Sequence, residues 1–201
     1  MKKSPPKSSG IIPGLDKRPV IVAVAGPNGA GKTTFYEAHL KASGLRFLNA
    51  DVLGGELGID AYQAAEVAAK LRRELAQQGE SFVFETVFSD PVGDKLSFLK
   101  NTAQQGYTVV LCFIGIADAD RSEERVAMRV SQGGHDVPTD KLTARFPRTM
   151  NNLKQAIQEL PCVLIFDNDG LRTPYCLSAI FQNGKATFLA KSIPAWLLPV
   201  L

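Results

Sequence analysis

Five short apolar runs recur along the chain, and the segments between them place their apolar residues at helical spacing. The runs predict β-strands at residues 20–25, 45–50, 81–85, 107–114 and 162–166. The run at 107–114 is so evenly apolar that we expect a central strand buried on both faces. Strands that alternate with helices indicate a parallel sheet with helices on both faces, so we predict an α/β fold in three layers.

The helical pattern predicts helices at residues 32–42, 61–78, 91–105, 119–132 and from about 138 to 160. Asp60 is placed to cap the second of these helices, and Pro147 predicts a kink or a break in the last. Near the end of the chain, the apolar segments 175–181 and 186–190 flank Asn183-Gly184, which is typical of a β-hairpin.

The length and charge of the chain limit its organisation and its partners. With 201 residues, 45% of them hydrophobic and 21% charged, the chain is typical of a single soluble globular domain. A formal net charge of +3 is too small to indicate nucleic acid as a partner, because binding a long nucleic acid requires many cationic contacts. No apolar run is long enough to cross a bilayer, so we expect no membrane partner.

Residues 1–17 are rich in Ser, Pro and Lys, which predicts a disordered basic tail ahead of a domain at 18–201. The tail lacks the apolar core of a secretion signal. Cys112, Cys162 and Cys176 lie in or beside apolar runs without metal-ligand spacing, and we expect buried thiols in a reducing compartment. Together these features predict a cytoplasmic protein.

The first predicted strand ends in the pattern G-x-x-x-x-G-K-[ST], which is typical of a phosphate-binding loop. Glycines let backbone N–H groups turn toward an anion, and the helix that follows directs its positive end to the same place. We expect Lys32 to reach the β- and γ-phosphates of ATP, and the Thr33 hydroxyl to ligate Mg²⁺. The nucleotide-binding residues predicted by this motif are Gly26, Pro27, Asn28, Gly29, Ala30, Gly31, Lys32, Thr33 and Thr34.

Two further strands end in acidic residues. Asp51 follows the second strand, and Glu85 ends the third strand with Thr86 next to it. Because ligands bind at the carboxyl ends of parallel strands, we expect these side chains to lie beside the phosphate-binding loop. The alternatives are that Asp51 is a helix N-cap and that Glu85 forms a buried ion pair.

The reaction class follows from which acidic residues are present at these strand ends. A P-loop hydrolase often has an aspartate at the end of an apolar strand as a second magnesium anchor. Here the fourth strand ends in Ile114-Gly115-Ile116, and Asp118 comes too late to serve well. Phosphoryl transfer to a hydroxyl fits better: Asp51 would act as the base, and Glu85 and Thr86 would hold the acceptor.

A basic segment at residues 119–148 predicts a lid that closes over ATP, with Gly133-Gly134 as its hinge. Its arginines would bind the phosphates of ATP, or form a solvated helix face paired with glutamates. We favour Arg129 and Arg145 as catalytic residues and Arg125 and Arg148 as further phosphate ligands, and we interpret His135 as a turn or packing residue. The arginines of the segment are Arg121, Arg125, Arg129, Arg145 and Arg148, and the neighbouring acids are Glu123 and Glu124.

Five stretches of the chain resemble the zeta-toxin family of P-loop kinases, in particular its short free-standing bacterial members. They cover most of the chain between residues 20 and 169, in the order found in that family. The stretches are GPNGAGKTTF (26–35), FLNAD (47–51), FETVFS (84–89), RVSQGGHDVP (129–138) and FDND (166–169). The resemblance implies a P-loop kinase with a mostly parallel five-stranded sheet, a helical lid and a C-terminal hairpin.

The resemblance also implies a function. An ATP-dependent kinase of this family phosphorylates a sugar hydroxyl of UDP-N-acetylglucosamine or a related nucleotide sugar. Asp51 would match the base, Glu85-Thr86 would match the pair that engages the substrate, and the lid arginines would bind phosphates. Toxin members are held inactive by a small antitoxin protein, which makes such a protein a candidate partner.

Two other functions are open from the sequence. One is a kinase of the same fold that acts on another small metabolite, a nucleoside or a nucleic-acid end. The other is a module that binds ATP without transfer. Two segments also have two interpretations each: Asp167-Asn168 as a border of the adenine pocket or a plain turn, and the apolar segment around Trp196 as part of the core or as a partner surface.

Overall fold

A computed structural model gives the structure of the protein and describes residues 12–134, 136–170 and 172–201. His135 and residues 1–11 lie outside the described residues, and with them the interpretation of His135 and most of the predicted tail. The rest of that tail, residues 12–17, packs on the domain, because Ile12 is buried in an apolar cluster. Leu15 packs against the same cluster, and the disorder predicted for residues 1–17 as a whole stays a prediction.

Within the described residues, seven strands form one sheet. They are β1 (Val20–Ala25), β2 (Arg46–Leu48), β3 (Phe82–Thr86), β4 (Thr108–Gly115), β5 (Cys162–Asp167), β6 (Cys176–Gln182) and β7 (Lys185–Leu189). Their order across the sheet is β2-β3-β1-β4-β5-β6-β7, with the first five parallel to one another. The predicted hairpin is present as β6 and β7, but β6 also pairs antiparallel with β5, so the hairpin enlarges the sheet from five strands to seven.

Six α-helices connect these strands within the described residues. They are α1 (Lys32–His39), α2 (Ala50–Leu57), α3 (Ala61–Gln77), α4 (Asp94–Gln104), α5 (Ala119–Ser131) and α6 (Thr139–Glu159). Asp60 caps α3 as predicted, in a capping box with Gln63. Helix α6 continues through Pro147, so the chain is not broken there. Because Thr143 and Pro147 are exposed, water can satisfy the Thr143 carbonyl that loses its helical partner.

Helices cover both faces of the sheet. All six residues of β1 are fully buried, and the odd-numbered and even-numbered ones belong to two different apolar clusters. One cluster takes in Leu75 of α3, Leu99 of α4 and Leu153 of α6, and the other takes in Phe35 of α1. The strand predicted at 107–114 is β4, the middle strand of the sheet, with seven of its eight residues buried. The predicted three-layer α/β fold with a buried central strand is confirmed.

The C-terminal segment packs on the core, which decides between its two interpretations. Leu197 and Val200 are buried in the first apolar cluster. The Trp196 indole donates from Nε1 to Oδ1 of Asp167 at 2.8 Å, and its ring covers Gly115 so closely that a methyl group there would lie 2.1 Å from the ring. This contact fixes the end of the chain to the carboxyl ends of β4 and β5.

The three cysteines are free, but they are not all buried. Cys112 is buried as predicted, Cys162 is half-buried, and Cys176 is exposed because it opens β6 where the strand leaves the core. Burial raises the pKa of the Cys162 thiol to about 11. None of the described helices is both long enough and apolar enough to cross a membrane.

Candidate functional site

The phosphate-binding loop, residues 26–34, joins β1 to the start of α1 at the carboxyl edge of the sheet. Gly26 adopts a φ of 145°, and a methyl group on it would lie 2.1 Å from the Ile114 carbonyl oxygen. At Gly31, the N-cap of α1, φ is 87° and a methyl group would meet Asn168 Nδ2 at 2.8 Å. Glycine is therefore required at both ends of the loop.

Four consecutive carbonyl groups of this loop are held from one flank by side chains that we call the carbonyl clamp: Ser122, Arg125, Asn168 and Tyr175. The Ser122 hydroxyl donates to Asn28 O at 2.7 Å, and Arg125 Nη1 donates to Gly29 O at 3.5 Å. Asn168 Nδ2 donates to Ala30 O at 2.8 Å, and the Tyr175 hydroxyl donates to Gly31 O at 2.9 Å.

The carbonyl clamp has a direct consequence for the backbone N–H groups of the loop. In a trans peptide, the carbonyl of one residue and the N–H of the next point in opposite directions. Fixing four carbonyls on one flank therefore turns the N–H groups of Gly29, Gly31 and Lys32 away from the carbonyl clamp, while the N–H of Ala30 donates to Pro27 O at 3.3 Å. The loop holds in advance the arrangement of donors that an anion needs.

The sequence reading missed most of the carbonyl clamp. Arg125 was expected to bind phosphate, but its Nη2 donates to the carbonyls of Asn168 and Asp169 at 2.8 and 3.0 Å. Asn168 is more than a plain turn residue, since its amide donates to Ala30 O; its place at the border of an adenine pocket stays a prediction. Ser122 and Tyr175 carried no signal beyond a polar residue in the first turn of α5 and one just before β6.

The opposite flank brings together side chains that we call the carboxylate side: Lys32, Thr33, Asn49, Asp51 and Glu85. Glu85 lies one residue before the end of β3, opposite Val24 of β1, and is 14% exposed. Its Oε2 accepts from the Thr33 hydroxyl at 2.8 Å and from Asn49 Nδ2 at 3.0 Å, and its Oε1 lies 3.9 Å from Lys32 Nζ.

Asn49 joins Glu85 to the first turn of α2. Its Oδ1 accepts from the backbone N–H groups of Asp51 and Val52 at 2.8 and 3.4 Å, so Asn49 is the N-cap of α2. The alternative in which Asp51 is the N-cap is therefore wrong. Asp51 is exposed in the first turn of α2, and this helix was not predicted because Gly54 and Gly55 weaken its helical pattern.

Lys32 is buried, and its Nζ donates to Pro27 O at 2.9 Å. Burial lowers the pKa of its ammonium group, while the charges of Glu85 and Asp51 raise it and the charge of Arg129 lowers it further. Asp51 and Arg129 are thus within electrostatic range of the same ammonium group as Glu85. The ammonium is poorly hydrated, which strengthens its attraction to an incoming anion.

Thr86 lies next to Glu85 but faces its own backbone. It is buried, and its hydroxyl accepts from the N–H of Phe88 at 3.0 Å. Phe88 is itself fully buried with a left-handed φ of 62°. The structure therefore gives Thr86 a role in shaping the turn after β3; its predicted contact with the acceptor stays a prediction.

The predicted lid corresponds to α5 and the first half of α6. The two helices are linked by a hydrogen bond of 2.8 Å from the Thr139 hydroxyl to the Glu123 carboxylate. Arg129 is exposed in the last turn of α5, where Gly134 packs against its side-chain stem. Arg145 is half-buried and Arg148 exposed, both on α6.

Two residues of the α5 segment have structural roles. Arg121 bonds Glu124 at 2.9 Å and Asp169 at 3.3 Å, as the paired-face alternative expected. Asp118 caps α5 by accepting from the Arg121 N–H at 2.8 Å. Asp118 is therefore the N-cap of α5.

The chemistry of the carboxylate side fits magnesium better than a transition metal. No group of three or more His, Cys, Asp or Glu side chains in the described part of the chain is arranged to hold a metal ion. Mg²⁺ needs no such group, because it keeps several waters and uses one or two protein oxygens together with substrate phosphates. Thr33 Oγ1 and Glu85 Oε2 provide two adjacent protein oxygens at the loop.

Comparison with known families identifies the domain. The model of an AAA domain family, AAA_33, matches residues 21–152, which include the phosphate-binding loop, Asp51 and Glu85. The chain belongs to the AAA_33 family. In this family the α/β fold with its P-loop is kinase-like, which confirms the predicted fold class. No curated protein sequence matches the chain significantly.

Solved structures share this AAA_33 fold at low sequence identity. The complex of AvrRxo1-ORF1 with ORF2 and ATP superposes with a TM-score of 0.67 at 18% identity, covering 90% of this chain and 64% of that one. A candidate kinase from Chloroflexus aurantiacus has a TM-score of 0.55 at 21% identity, covering 78% of this chain and 92% of the other. The PezAT toxin–antitoxin system of Streptococcus pneumoniae gives 0.54 at 19% identity, covering 80% and 71%.

Proposed function

We propose that this chain is an ATP-dependent kinase that transfers the γ-phosphate to a hydroxyl group of a small molecule. The observation that carries the proposal is the position of the Glu85 carboxylate, between the Thr33 hydroxyl and the Lys32 ammonium and joined through Asn49 to the turn that holds Asp51. In this proposal the phosphate-binding loop, the Lys32 ammonium, the metal-binding oxygens of Thr33 and Glu85, and the Asp51 carboxylate all lie at one edge of the sheet.

The nucleotide would bind first through the loop. Lys32 would exchange its hydrogen bond with Pro27 O for the β- and γ-phosphate oxygens, and the N–H groups turned by the carbonyl clamp would bind the remaining oxygens. Thr33 and Glu85 would hold Mg²⁺, with Glu85 in direct contact or through a water molecule. The metal would neutralise charge on the phosphates; this role for Glu85 differs from its predicted contact with the acceptor.

Asp51 would accept the proton of the attacking hydroxyl group. The acceptor oxygen forms a bond to the γ-phosphorus, the bond from that phosphorus to the bridging oxygen breaks, and ADP leaves with the electron pair. The Asp51 carboxylate is exposed in the first turn of α2 and does not cap the helix. It lies within electrostatic range of Lys32. Arg129 and Arg145 would stabilise the charge on the transferring group.

The acceptor that we propose is a nucleotide sugar such as UDP-N-acetylglucosamine, on the resemblance of the site stretches to the zeta-toxin kinases. The PezAT toxin–antitoxin system shares the fold of this chain. That system and the AvrRxo1-ORF1 complex each contain a second protein, so we propose a small inhibitory protein as a partner of this chain. Such a kinase would work where MgATP is abundant, in the cytoplasm.

The test combines calorimetry with a transfer assay. Titration with UDP-N-acetylglucosamine in the presence of a non-hydrolysable ATP analogue should show binding, and incubation with MgATP should add one phosphate to the sugar nucleotide, detected by mass spectrometry. Lys32→Ala should lose roughly a hundredfold or more of this transfer. Transfer to another metabolite in a panel would replace the acceptor, and tight ATP binding with no transfer to any acceptor would contradict kinase activity.

A further inference from the structure

Trp196, the one tryptophan of the sequence, contacts two strand ends next to the phosphate-binding loop. Gly115 ends β4 and Asp167 ends β5, and the two residues are partners in the register of these parallel strands. The indole ring lies on Gly115, and its Nε1 donates to Asp167 Oδ1 at 2.8 Å. One side chain of the C-terminal segment, residues 193–201, therefore joins the ends of two adjacent strands.

The contact with Gly115 leads to the first glycine of the loop. The carbonyl oxygen of Ile114, the residue before Gly115, would lie 2.1 Å from a methyl group on Gly26. Gly115 has no space for a side chain under the indole, since a methyl group there would lie 2.1 Å from the ring. Because interiors packed this closely transmit displacements, a shift of the indole would move the strand end against which Gly26 packs.

The contact with Asp167 leads to the middle of the loop. Asp167 Oδ1 also accepts from the Asp169 N–H at 3.4 Å, so the carboxylate shapes the turn that contains Asn168. The backbone N–H of Asn168 donates to Gly115 O at 2.9 Å, and its Nδ2 donates to Ala30 O at 2.8 Å. The indole hydrogen bond thus holds the carboxylate around which the turn with the Asn168 amide is built.

The Ala30 carbonyl and the Gly31 N–H belong to one peptide unit. An anion bound by this N–H would strengthen the hydrogen bond from Asn168 to the carbonyl, because linked hydrogen bonds polarise one another. The coupling is reciprocal: an Asn168 amide that is held in place keeps the Gly31 N–H in the orientation that binds the anion. Nucleotide binding should therefore affect the contacts of Trp196, and these contacts should affect nucleotide binding.

We propose that Trp196 is a positioning residue for nucleotide binding, which acts on the phosphate-binding loop through Gly115 and Asp167 without touching the nucleotide. The proposal rests on the ATP-binding part of the proposed function and does not depend on the transfer step. It gives the C-terminal segment a role beyond its packing in the core. A residue that acts in this way changes the affinity for ATP but not the rate of transfer once ATP is bound.

The wild-type protein carries its own reporter, because Trp196 supplies all of its tryptophan fluorescence. Indole emission responds to hydrogen bonding at Nε1 and to the packing of the ring. Titration with Mg²⁺ and a non-hydrolysable ATP analogue should change the emission saturably, with the dissociation constant that calorimetry gives for the same protein. Calorimetric binding of the analogue without any change in emission would contradict the coupling.

Trp196→Phe keeps an aromatic ring over Gly115 and removes the hydrogen bond to Asp167. The Kd of the ATP analogue should rise roughly three- to tenfold, since one hydrogen bond to a charged group is lost and tenfold corresponds to about 1.4 kcal/mol. The rise is limited because Arg125 still holds the carbonyls of the turn. Transfer at saturating ATP should stay as in the wild type.

The partner of the indole offers a second pair of variants. Asp167→Asn keeps an oxygen that can accept from Nε1, whereas Asp167→Ala removes the acceptor. Asp167→Ala should therefore weaken binding of the ATP analogue at least as much as Trp196→Phe, and Asp167→Asn should weaken it less. Equal affinities in Asp167→Asn and Asp167→Ala would contradict a role for this hydrogen bond.

Two controls in the same segment separate positioning from stability. Val200→Ala removes a buried apolar contact and leaves the indole unchanged, so it should lower the denaturant midpoint without changing the affinity for ATP. Leu198→Ala, at a 59% exposed position, should change neither quantity. If Val200→Ala weakened ATP binding as much as Trp196→Phe, the effect would be one of stability and the proposal would be overturned.

The results distinguish this proposal from the kinase function. An affinity for ATP that depends on Trp196, with no transfer to any acceptor, would leave the positioning role standing and contradict the kinase function. Phosphate transfer with a KM for ATP that is unchanged by Trp196→Phe and Asp167→Ala would leave the kinase function standing and overturn the role of Trp196.

Discussion

The two flanks of the phosphate-binding loop are built from different chemistry. In the carbonyl clamp, two hydroxyl groups, one amide and one arginine donate to four successive loop carbonyls at 2.7 to 3.5 Å. Each of these carbonyls therefore has a hydrogen-bond donor from the protein itself. On the carboxylate side, an ammonium, a hydroxyl and a carboxylate meet, with 3.9 Å between Lys32 Nζ and Glu85 Oε1.

The difference indicates that the carbonyl clamp holds the shape of the loop and that the carboxylate side binds phosphate and metal. Saturated hydrogen bonds on the carbonyl clamp hold the loop in a fixed shape, and little would be gained by exchanging them. A long ion pair is easily exchanged for phosphate and metal, because both partners gain stronger contacts. Substitutions on the carboxylate side should therefore strongly impair transfer, whereas substitutions on the carbonyl clamp should weaken ATP binding and stability by smaller amounts.

The largest effect is expected for Asp51→Ala. Loss of a general base lowers the rate of a proton-coupled step by about 10²–10⁴-fold, and the affinity for ATP should hardly change because Asn49 still caps α2. Steady-state transfer assays together with ATP titration measure both quantities. Glu56→Gln, on an exposed position of the same helix, is the control. If the Asp51→Ala variant transferred phosphate at the wild-type rate, Asp51 would not be the base.

A smaller effect is expected for Glu85→Gln. The amide keeps the shape of the side chain but removes the charge that would hold Mg²⁺, so the Mg²⁺ concentration for half-maximal transfer should rise roughly 10- to 100-fold. Transfer rates measured over a series of Mg²⁺ concentrations test this. Glu66→Gln on the exposed face of α3 should leave the Mg²⁺ dependence as in the wild type. An unchanged Mg²⁺ dependence in Glu85→Gln would remove Glu85 from the metal site.

On the carbonyl clamp, Tyr175→Phe removes the hydrogen bond to Gly31 O and the hydrogen bonds of the phenol group with Thr34 and Asn168. We expect the free energy of unfolding to fall by about 1 kcal/mol and the affinity for ATP to fall by less than tenfold, with the transfer rate at saturating ATP retained. Denaturant unfolding and ATP titration measure these changes, with Tyr62→Phe at a 75% exposed position as the control. A loss of transfer as large as that of Asp51→Ala would contradict the division between the two flanks.

The smallest effect concerns His39, which contacts the rings of Phe35 and Tyr175 behind the carbonyl clamp. Burial lowers the pKa of its imidazole below the ordinary 6.5. Below that pH the unfolded chain binds the proton more readily than the folded chain, so His39 contributes a loss of stability as the pH falls through 6.5. Thermal unfolding from pH 7.5 to 5.5 should show a smaller decline in His39→Gln than in the wild type; an equal or steeper decline would contradict this.

The sequence predicts the carboxylate side better than the carbonyl clamp, for a physical reason. Lys32 and Thr33 belong to a loop motif that follows one apolar strand, Glu85 lies near the end of another, and the parallel arrangement of β1 and β3 brings these strand ends to one edge. The carbonyl clamp uses Ser122, Asn168 and Tyr175, which bind backbone carbonyls across more than ninety residues of chain. Nothing in a local pattern distinguishes such residues from ordinary helix and loop positions.

The elements show the same contrast between local and long-range causes. Helix α3 was predicted nearly to the residue because Asp60 caps its start and its apolar residues recur at helical spacing. The addition of β6 to β5, by contrast, depends on which strand edge is available after folding, and the hairpin signal alone does not show it. Helix α2 was not predicted because Gly54 and Gly55 weaken its helical pattern, although Asn49 stabilises the helix by capping it.

The measurement that tests the central claim most directly is an experimental structure of the chain with Mg²⁺ and a non-hydrolysable ATP analogue. The account predicts that Lys32 Nζ leaves Pro27 O for the β- and γ-phosphate oxygens, that Mg²⁺ binds Thr33 Oγ1 beside Glu85, and that the Asp51 carboxylate faces the γ-phosphate. A nucleotide bound away from the loop, or a γ-phosphate with Asp51 and Glu85 both turned away from it, would contradict the account.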